Sequence, residues 1–224
     1  MTEPHDNAVR SMTMQPFSWR HINQWHFGLV PLVLLVGAGL VYALAAHRAS
    51  EWRGSRTAFF YSGLFVPFVA TQSVIGVFDR TYFSDHMIQH LMLIMVAAPL
   101  FALSAPVDLA YAVGSTRLRV LIDGRVVQGL THPLVAFALY FVFIPLTHLT
   151  GLFNLMLEHD WIHHLEHIIF LVVGYVFFRA AFGIERGFPI HPGLRLVFVM
   201  AAVPVDTFTG LALSMSCEPK VKMK

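Results

Sequence analysis

Six runs of mostly apolar residues follow one another along the chain, separated by short polar segments. A membrane-spanning helix needs about 20 apolar residues, and within lipid every backbone N–H and C=O group needs an internal partner. Runs of this length predict an all-α, polytopic transmembrane helical bundle rather than the alternating strands of a barrel. The predicted spans are 27–46, 57–78, 86–104, 133–152, 162–182 and 194–215, between an outer N-terminal tail at 1–26 and a short polar tail at 216–224.

The composition fits the membrane class. Hydrophobic residues make up 56% of the 224 positions and charged residues 12%, about half the charged fraction of an ordinary globular chain. The spans leave no room for a catalytic domain outside the membrane. The net charge of +2 is too small to indicate a nucleic-acid partner, and the single Cys217 excludes a disulfide framework or a thiolate-only metal cluster.

The arginines predict the orientation of the bundle. The loops after the first, third and fifth spans, together with the span ends beside them, hold nine arginines, whereas the intervening loops hold only Arg80. Short loops rich in arginine remain in the cytoplasm, so we expect the N-terminus outside and a multi-pass location in the bacterial plasma (inner) membrane. The longest inner loop, 113–130, reads as an amphipathic interfacial stretch with Leu118, Val120, Leu121, Val126 and Val127 toward lipid.

Histidine is unusually frequent, and the predicted topology places ten of the 13 histidines at or beyond the outer face. The third span opens with His86 and His90, and the fifth with His163 and His167. A spacing of four residues puts both imidazoles of each pair on one helical face. Because both spans run inward from the outer side, the two pairs begin at similar depth, and four imidazoles converge if the helices are neighbours.

Imidazole is the commonest protein ligand for metals, and polar residues within spans usually face the bundle and mark function. Copper, zinc and iron all accept imidazole, and the thioethers of Met87, Met92, Met95 and Met215 would add a preference for Cu(I). Nearby carboxylates can orient a ligating ring or bind zinc directly. The predicted metal site comprises His86, His90, His163, His167, Glu166, Asp85 and His148.

The same residues resemble a known family, the CtaG-like cytochrome c oxidase assembly factors of bacterial membranes. The resemblance covers roughly residues 59–213 and implies that His86, His90, His163 and His167, with Glu166, handle copper for the outward-facing copper centre of the oxidase. Family members usually continue with an outer segment and a further helix, whereas this chain ends in a lysine-rich tail, as expected of a truncated chain. The matching motifs are Asp85-His86-Met87-Ile88-Gln89-His90-Leu91, Ala98-Pro99-Leu100, Ser104-Ala105-Pro106, Trp161, His163-His164-Leu165-Glu166-His167, Phe170 and Gly174.

Three functions are compatible with these features. The first is a non-enzymatic membrane metallochaperone that passes copper to cytochrome c oxidase subunits. The second is an intramembrane zinc-dependent hydrolase in which Asp85 or Glu166 activates a water molecule. The third is a b-type haem protein with His90 and His167 as axial ligands. The lipid bilayer is a partner in each case, and the metal stays open between copper, zinc and haem iron.

Overall fold

The computed structural model describes residues 25–79, 83–150, 159–188 and 190–217, and these form helices without strands. The prediction of an all-α fold is confirmed. Most of both predicted tails lies outside the described residues. The helices are α1 (Leu29–Arg48), α2 (Gly54–Gln72), α3 (Val74–Phe78), α4 (Phe83–Leu91), α5 (Ala98–Ser104), α6 (Pro106–Val113), α7 (Thr116–Ile122), α8 (Arg125–Leu130), α9 (Pro133–Leu149), α10 (Asp160–Phe182) and α11 (Pro192–Cys217), and a π-helical segment (Met92–Ala97) joins α4 to α5.

Five helical segments among the described residues are long and apolar enough to cross a membrane. A sixth arises if residues 116–130 and α9, which meet at an angle of 56°, are one broken span. The prediction of about six spans agrees with this range. The fourth predicted span corresponds to α9, whose 17 residues rise about 26 Å, slightly less than the ~30 Å core of a bilayer.

The predicted interfacial stretch forms the two short helices α7 and α8. The side chains of Leu118, Val120, Leu121 and Val126 are exposed, as expected of an apolar face that meets lipid. Ile122, in contrast, is buried, so it packs α7 against the rest of the bundle. Asp123 is the C-cap residue of α7, and its side chain accepts a hydrogen bond from the Tyr111 hydroxyl.

Helix α10 lies at the centre of the bundle, packed against α5, the π-helical segment, α9 and α11. Phe177 of α10 is fully buried, with its ring centroid 4.2 Å from that of Tyr140 in α9. A Cβ atom at Gly174 would lie 2.9 Å from the Ala98 Cβ and 2.9 Å from Ile94. Glycine therefore allows α10 to approach the π-helical segment and α5 closely, which brings the beginnings of α4 and α10 together.

A buried polar network fastens the other end of α10. Arg179 Nε lies 2.7 Å from Glu185 Oε2, which also accepts a hydrogen bond from the Tyr175 hydroxyl at 2.6 Å. The other oxygen, Glu185 Oε1, accepts from the Val107 backbone N–H at 3.0 Å. Burial raises the pKa of the Glu185 carboxyl, while these three donors favour its ionised form. The network ties α6, α10 and the segment after α10 to one another.

Candidate metal centre

The first two ligand candidates lie on α4. His86 and His90 are one helical turn apart on the buried face, and their ring centroids are 4.3 Å apart. Exposed Ile88 lies on the opposite face. An apolar residue toward lipid and imidazoles toward the interior is the arrangement expected of a helix that carries a polar site within a membrane.

Helix α10 supplies the second pair, and α9 supplies a fifth imidazole. The ring centroids of His163 and His167 are 4.3 Å apart, and both side chains are buried. His148 lies near the end of α9, and its ring centroid is 5.1 Å from that of His90. His90 and His167 centroids are 5.6 Å apart. The structure thus brings five predicted imidazoles together where α4 and α10 begin.

Two groups of potential ligand atoms can be drawn within this cluster. In each group, one atom per residue can be chosen so that all the atoms lie within 4.8 Å of one another. Only His90 belongs to both groups. The first group consists of His86, His90, His148 and Glu166, and the second of His90, His163 and His167.

Within the first group, the two imidazoles of α4 are in direct contact. Their Nε2 atoms are 3.0 Å apart. If each nitrogen were about 2.0–2.1 Å from a metal ion, the angle between the two bonds would be about 95°, which is compatible with a four-coordinate or square arrangement. The two nitrogens are therefore close enough to bind a single ion in place of the hydrogen bond between them.

Glu166 is the acidic member of the first group. Its side chain is buried, and neither carboxylate oxygen makes a hydrogen bond within the described part of the chain; Oε1 lies 3.7 Å from His90 Nε2. Burying a carboxylate without donors is costly, so these oxygens have the character of ligand atoms. Asp85 is also buried on α4, but it belongs to neither group, and its Oδ1 accepts a hydrogen bond from the Ser84 hydroxyl at 3.5 Å.

Two contacts orient individual rings. His148 Nδ1 lies 3.1 Å from the Ile144 carbonyl oxygen. A carbonyl only accepts hydrogen bonds, so Nδ1 carries the proton and Nε2 carries the lone pair. His163 Nδ1 lies 3.8 Å from Oδ2 of the buried Asp79, which follows α3. At this distance the contact is electrostatic rather than a hydrogen bond, and the negative charge favours a proton on Nδ1, which leaves the lone pair on Nε2.

The position of α4 depends on a break between α2 and α3. Ser73 is extended, with ψ −176°, and its hydroxyl caps α3 by accepting from the Ile75 N–H. The break interrupts the helical hydrogen bonds, and the Ala70 carbonyl accepts a hydrogen bond from Gln89 Nε2 at 2.9 Å. Because Gln89 lies between His86 and His90 in sequence, this bond fixes the rotation of α4 and directs both imidazoles inward.

The π-helical segment begins two residues after His90. Such segments are rare and often occur at functional sites. Pro99 follows it in the first turn of α5; it has no N–H to donate, and its ring would clash with the Met95 carbonyl in a regular helix. Met95 sulfur accepts from the Tyr140 hydroxyl at 3.5 Å, so this thioether packs in the core below the cluster.

Sequence reasoning missed Asp79, the Gln89 bond and the π-helical segment. Asp79 is not spaced three or four residues from any of the clustered histidines. The sequence marked it only as a charged residue at the end of an apolar run. Phe170 packs against the cluster, with its ring 4.6 Å from that of His90. It stands three residues after His167, one turn along the same face, which is a signal that could have identified it.

The fold and the cluster define a class: a multi-span helical protein with a buried histidine-rich centre near one end of the bundle. The chain belongs to the Caa3_CtaG family, the cytochrome c oxidase caa3 assembly factors, whose family model matches residues 38–223. The family expected from the histidine motifs is confirmed.

Relatives in mycobacteria are similar over most of this chain. Uncharacterized proteins of Mycobacterium bovis and Mycobacterium tuberculosis are each 31% identical to it over 212 residues, and one of Mycobacterium leprae is 28% identical over 210 residues. Each match covers 87% of this chain and 32% of the relative, so the chain spans about a third of the length of these proteins. No solved structure is significantly similar to it.

Proposed function

We propose that the protein is a membrane assembly factor that holds a copper ion at the histidine cluster and delivers it to cytochrome c oxidase. The observation that carries this proposal is the convergence of five buried imidazoles and Glu166 in two overlapping ligand groups. Membership of an oxidase assembly family supplies the partner, the oxidase subunits. The role is one of binding and transfer, without catalysis.

The residues present fit a copper ion as cargo. Imidazole nitrogens are good ligands for both common oxidation states of copper. The Glu166 oxygens lack hydrogen-bond donors among the described residues, and a cation would compensate that buried charge. So many polar rings buried among apolar helices cost free energy, which a bound ion would offset.

Each residue has a distinct part in this proposal. His86, His90, His148 and Glu166 would hold the ion, and His163 and His167 would provide further nitrogens. Asp79 and the Ile144 carbonyl keep two rings in the tautomer that can bind. Phe170 packs against the His90 ring.

The predicted topology makes the cluster end of the bundle the outer one. In a bacterial plasma (inner) membrane that end faces the side on which an outward-facing copper centre of the oxidase is assembled. The cluster lies near the outer ends of its helices, and the longer part of each helix extends toward the cytoplasmic side. An ion held there is close to the outer surface, where it would be transferred.

The test combines metal analysis with oxidase activity in cells. The purified wild-type protein should bind one equivalent of Cu(I), and the double variant His90→Ala, His167→Ala should bind less than a tenth of it. Cells with the double variant should lose most of their oxidase activity, with recovery when copper is raised. His164→Ala is the matched control, because His164 is on α10 but in neither ligand group.

Three outcomes would contradict the copper proposal. Wild-type protein that binds no copper would remove it. Tightly held zinc together with hydrolysis of a lipid or amide would identify the hydrolase instead. A strong Soret absorption lost in the double variant would identify the haem protein with His90 and His167 as axial ligands.

A further inference from the structure

We propose that the cluster provides two alternative positions for one copper ion, and that the ion moves between them while it stays bound to His90. This inference rests on the proposed function. Its basis is that the two ligand groups overlap at His90 and at no other residue among those described. A single compact site would not require two sets of ligands that share one ring.

The first position is formed by three helices. Its ligands are His86 and His90 from α4, His148 from α9 and Glu166 from α10. Beside it is a cavity of about 10 Å³ lined by His90, His148 and Thr209 among others. This cavity accommodates about one water-sized particle, and it lies on the side of α10 that faces α9 and α11.

The second position is formed by α4 and α10 alone, from His90, His163 and His167. His167 also lines a groove of about 430 Å³ whose walls are mainly apolar side chains of α1, α2 and α10. It is the most exposed of the five imidazoles, at 8%, compared with 0–3% for the others. The second position is thus nearer an open face of the bundle, on a different side from the first.

The ligands of the two positions indicate which position binds the ion more tightly and therefore in which direction the ion moves before release. The first position has four donors, including a carboxylate, and the second has three neutral imidazoles. A cation is held more tightly by more donors and by an anionic one. The first position is therefore the storage position, and the second is the release position.

The exchange balances without a further reactant. Bonds from the ion to His86, His148 and Glu166 break, bonds to His163 and His167 form, and the bond to His90 is kept. The ion keeps its oxidation state, and no proton is transferred. Two cations beside one imidazole would repel each other strongly in a medium of low dielectric constant, so the positions are filled one at a time.

The experiment uses the purified full chain in detergent, titrated with Cu(I) against a chromophoric Cu(I) chelator. Two double variants each remove one position: His148→Ala, Glu166→Gln for the first and His163→Ala, His167→Ala for the second. Both should still bind one equivalent. The first-position variant should bind about 10–100-fold more weakly, the size of effect typical for altered metal surroundings. The second-position variant should release copper to the chelator at least about tenfold more slowly than wild type.

The experiment has one control variant and three results that would overturn the proposal. His47→Ala should match wild type in affinity and in release rate, because His47 is an exposed histidine in the last turn of α1 and lines neither position. Two equivalents of Cu(I) in wild type, complete loss of copper from either double variant with its helical content intact, or unchanged release from the second-position variant would overturn the two-position proposal. If the first-position variant does not fold, the release rate of the second-position variant alone decides. Wild-type protein without copper would instead overturn the proposed function.

Discussion

Asp79→Asn isolates the contribution of a carboxylate that touches the cluster without being in either ligand group. Asp79 Oδ2 lies 3.8 Å from His163 Nδ1, and its side chain is 9% exposed. The substitution keeps the shape and removes the charge. An asparagine amide can also donate to Nδ1, which would favour the tautomer whose Nε2 carries a proton and cannot bind a metal.

The magnitude follows from the distance. An ion about 2 Å beyond the far nitrogen of His163 would lie about 8 Å from the Asp79 oxygen. Two unit charges at that separation contribute about 2 kcal/mol at an effective dielectric constant of ~20. This corresponds to about a 30-fold lower affinity of the second position, within the 10–100-fold range typical of residues that orient metal ligands.

The assay is Cu(I) competition with a chromophoric chelator, read as the dissociation constant of the purified His148→Ala, Glu166→Gln variant, in which only the second position, His90, His163 and His167, is complete. The matched control is Asp123→Asn, because Asp123 is an exposed carboxylate after α7. Added to this variant, it should leave the copper affinity unchanged. An unchanged affinity on addition of Asp79→Asn, together with a lost affinity on addition of His163→Ala, would refute the reasoning, since the carboxylate would then have no effect through His163.

Three further predictions concern stability and are measured by thermal unfolding in detergent. Gly174→Leu should cost about 1–3 kcal/mol by overpacking against α5, and an unchanged melting temperature would contradict the close helix approach. Ala105→Gly should change stability by less than about 1 kcal/mol, because relief of the left-handed backbone (φ 52°) is offset by the loss of a fully buried methyl group and by the freedom of glycine in the unfolded chain; a loss of more than about 2 kcal/mol would contradict this. Glu185→Gln leaves Arg179 buried without its anionic partner and should cost about 3–5 kcal/mol, while the exposed Glu51→Gln should have no effect.

The sequence was sufficient to predict the helical class. In lipid an apolar run of about 20 residues can satisfy all of its backbone hydrogen bonds only as a helix. It also predicted that both histidine pairs share helical faces, since a spacing of four fixes that locally. That α4 and α10 are neighbours was left conditional. Their contact depends on the close packing at Gly174, which a sequence pattern alone does not reveal.

The parts of the site that were missed depend on long-range contacts or on irregular backbone. Asp79 reaches His163 only because α3 turns away from α2 at Ser73. Asp85 was included in the site as a carboxylate beside His86 that could orient a ring or bind zinc, and the structure places it outside both ligand groups. Neighbouring residues on a helix point about 100° apart, so adjacency in sequence was a poor guide there.

The buried Arg179–Glu185 network has a mechanical consequence for the histidines at the other end of α10. Residue 163 lies 16 positions before residue 179, a rise of about 24 Å. If the network acts as a pivot, a tilt of one degree shifts the His163 backbone by about 0.4 Å, twice the ±0.2 Å tolerance of metal–ligand distances. A bound ion would therefore restrain the beginning of α10 in its position beside α4. Release of the ion would remove this restraint and allow that end of the helix to tilt.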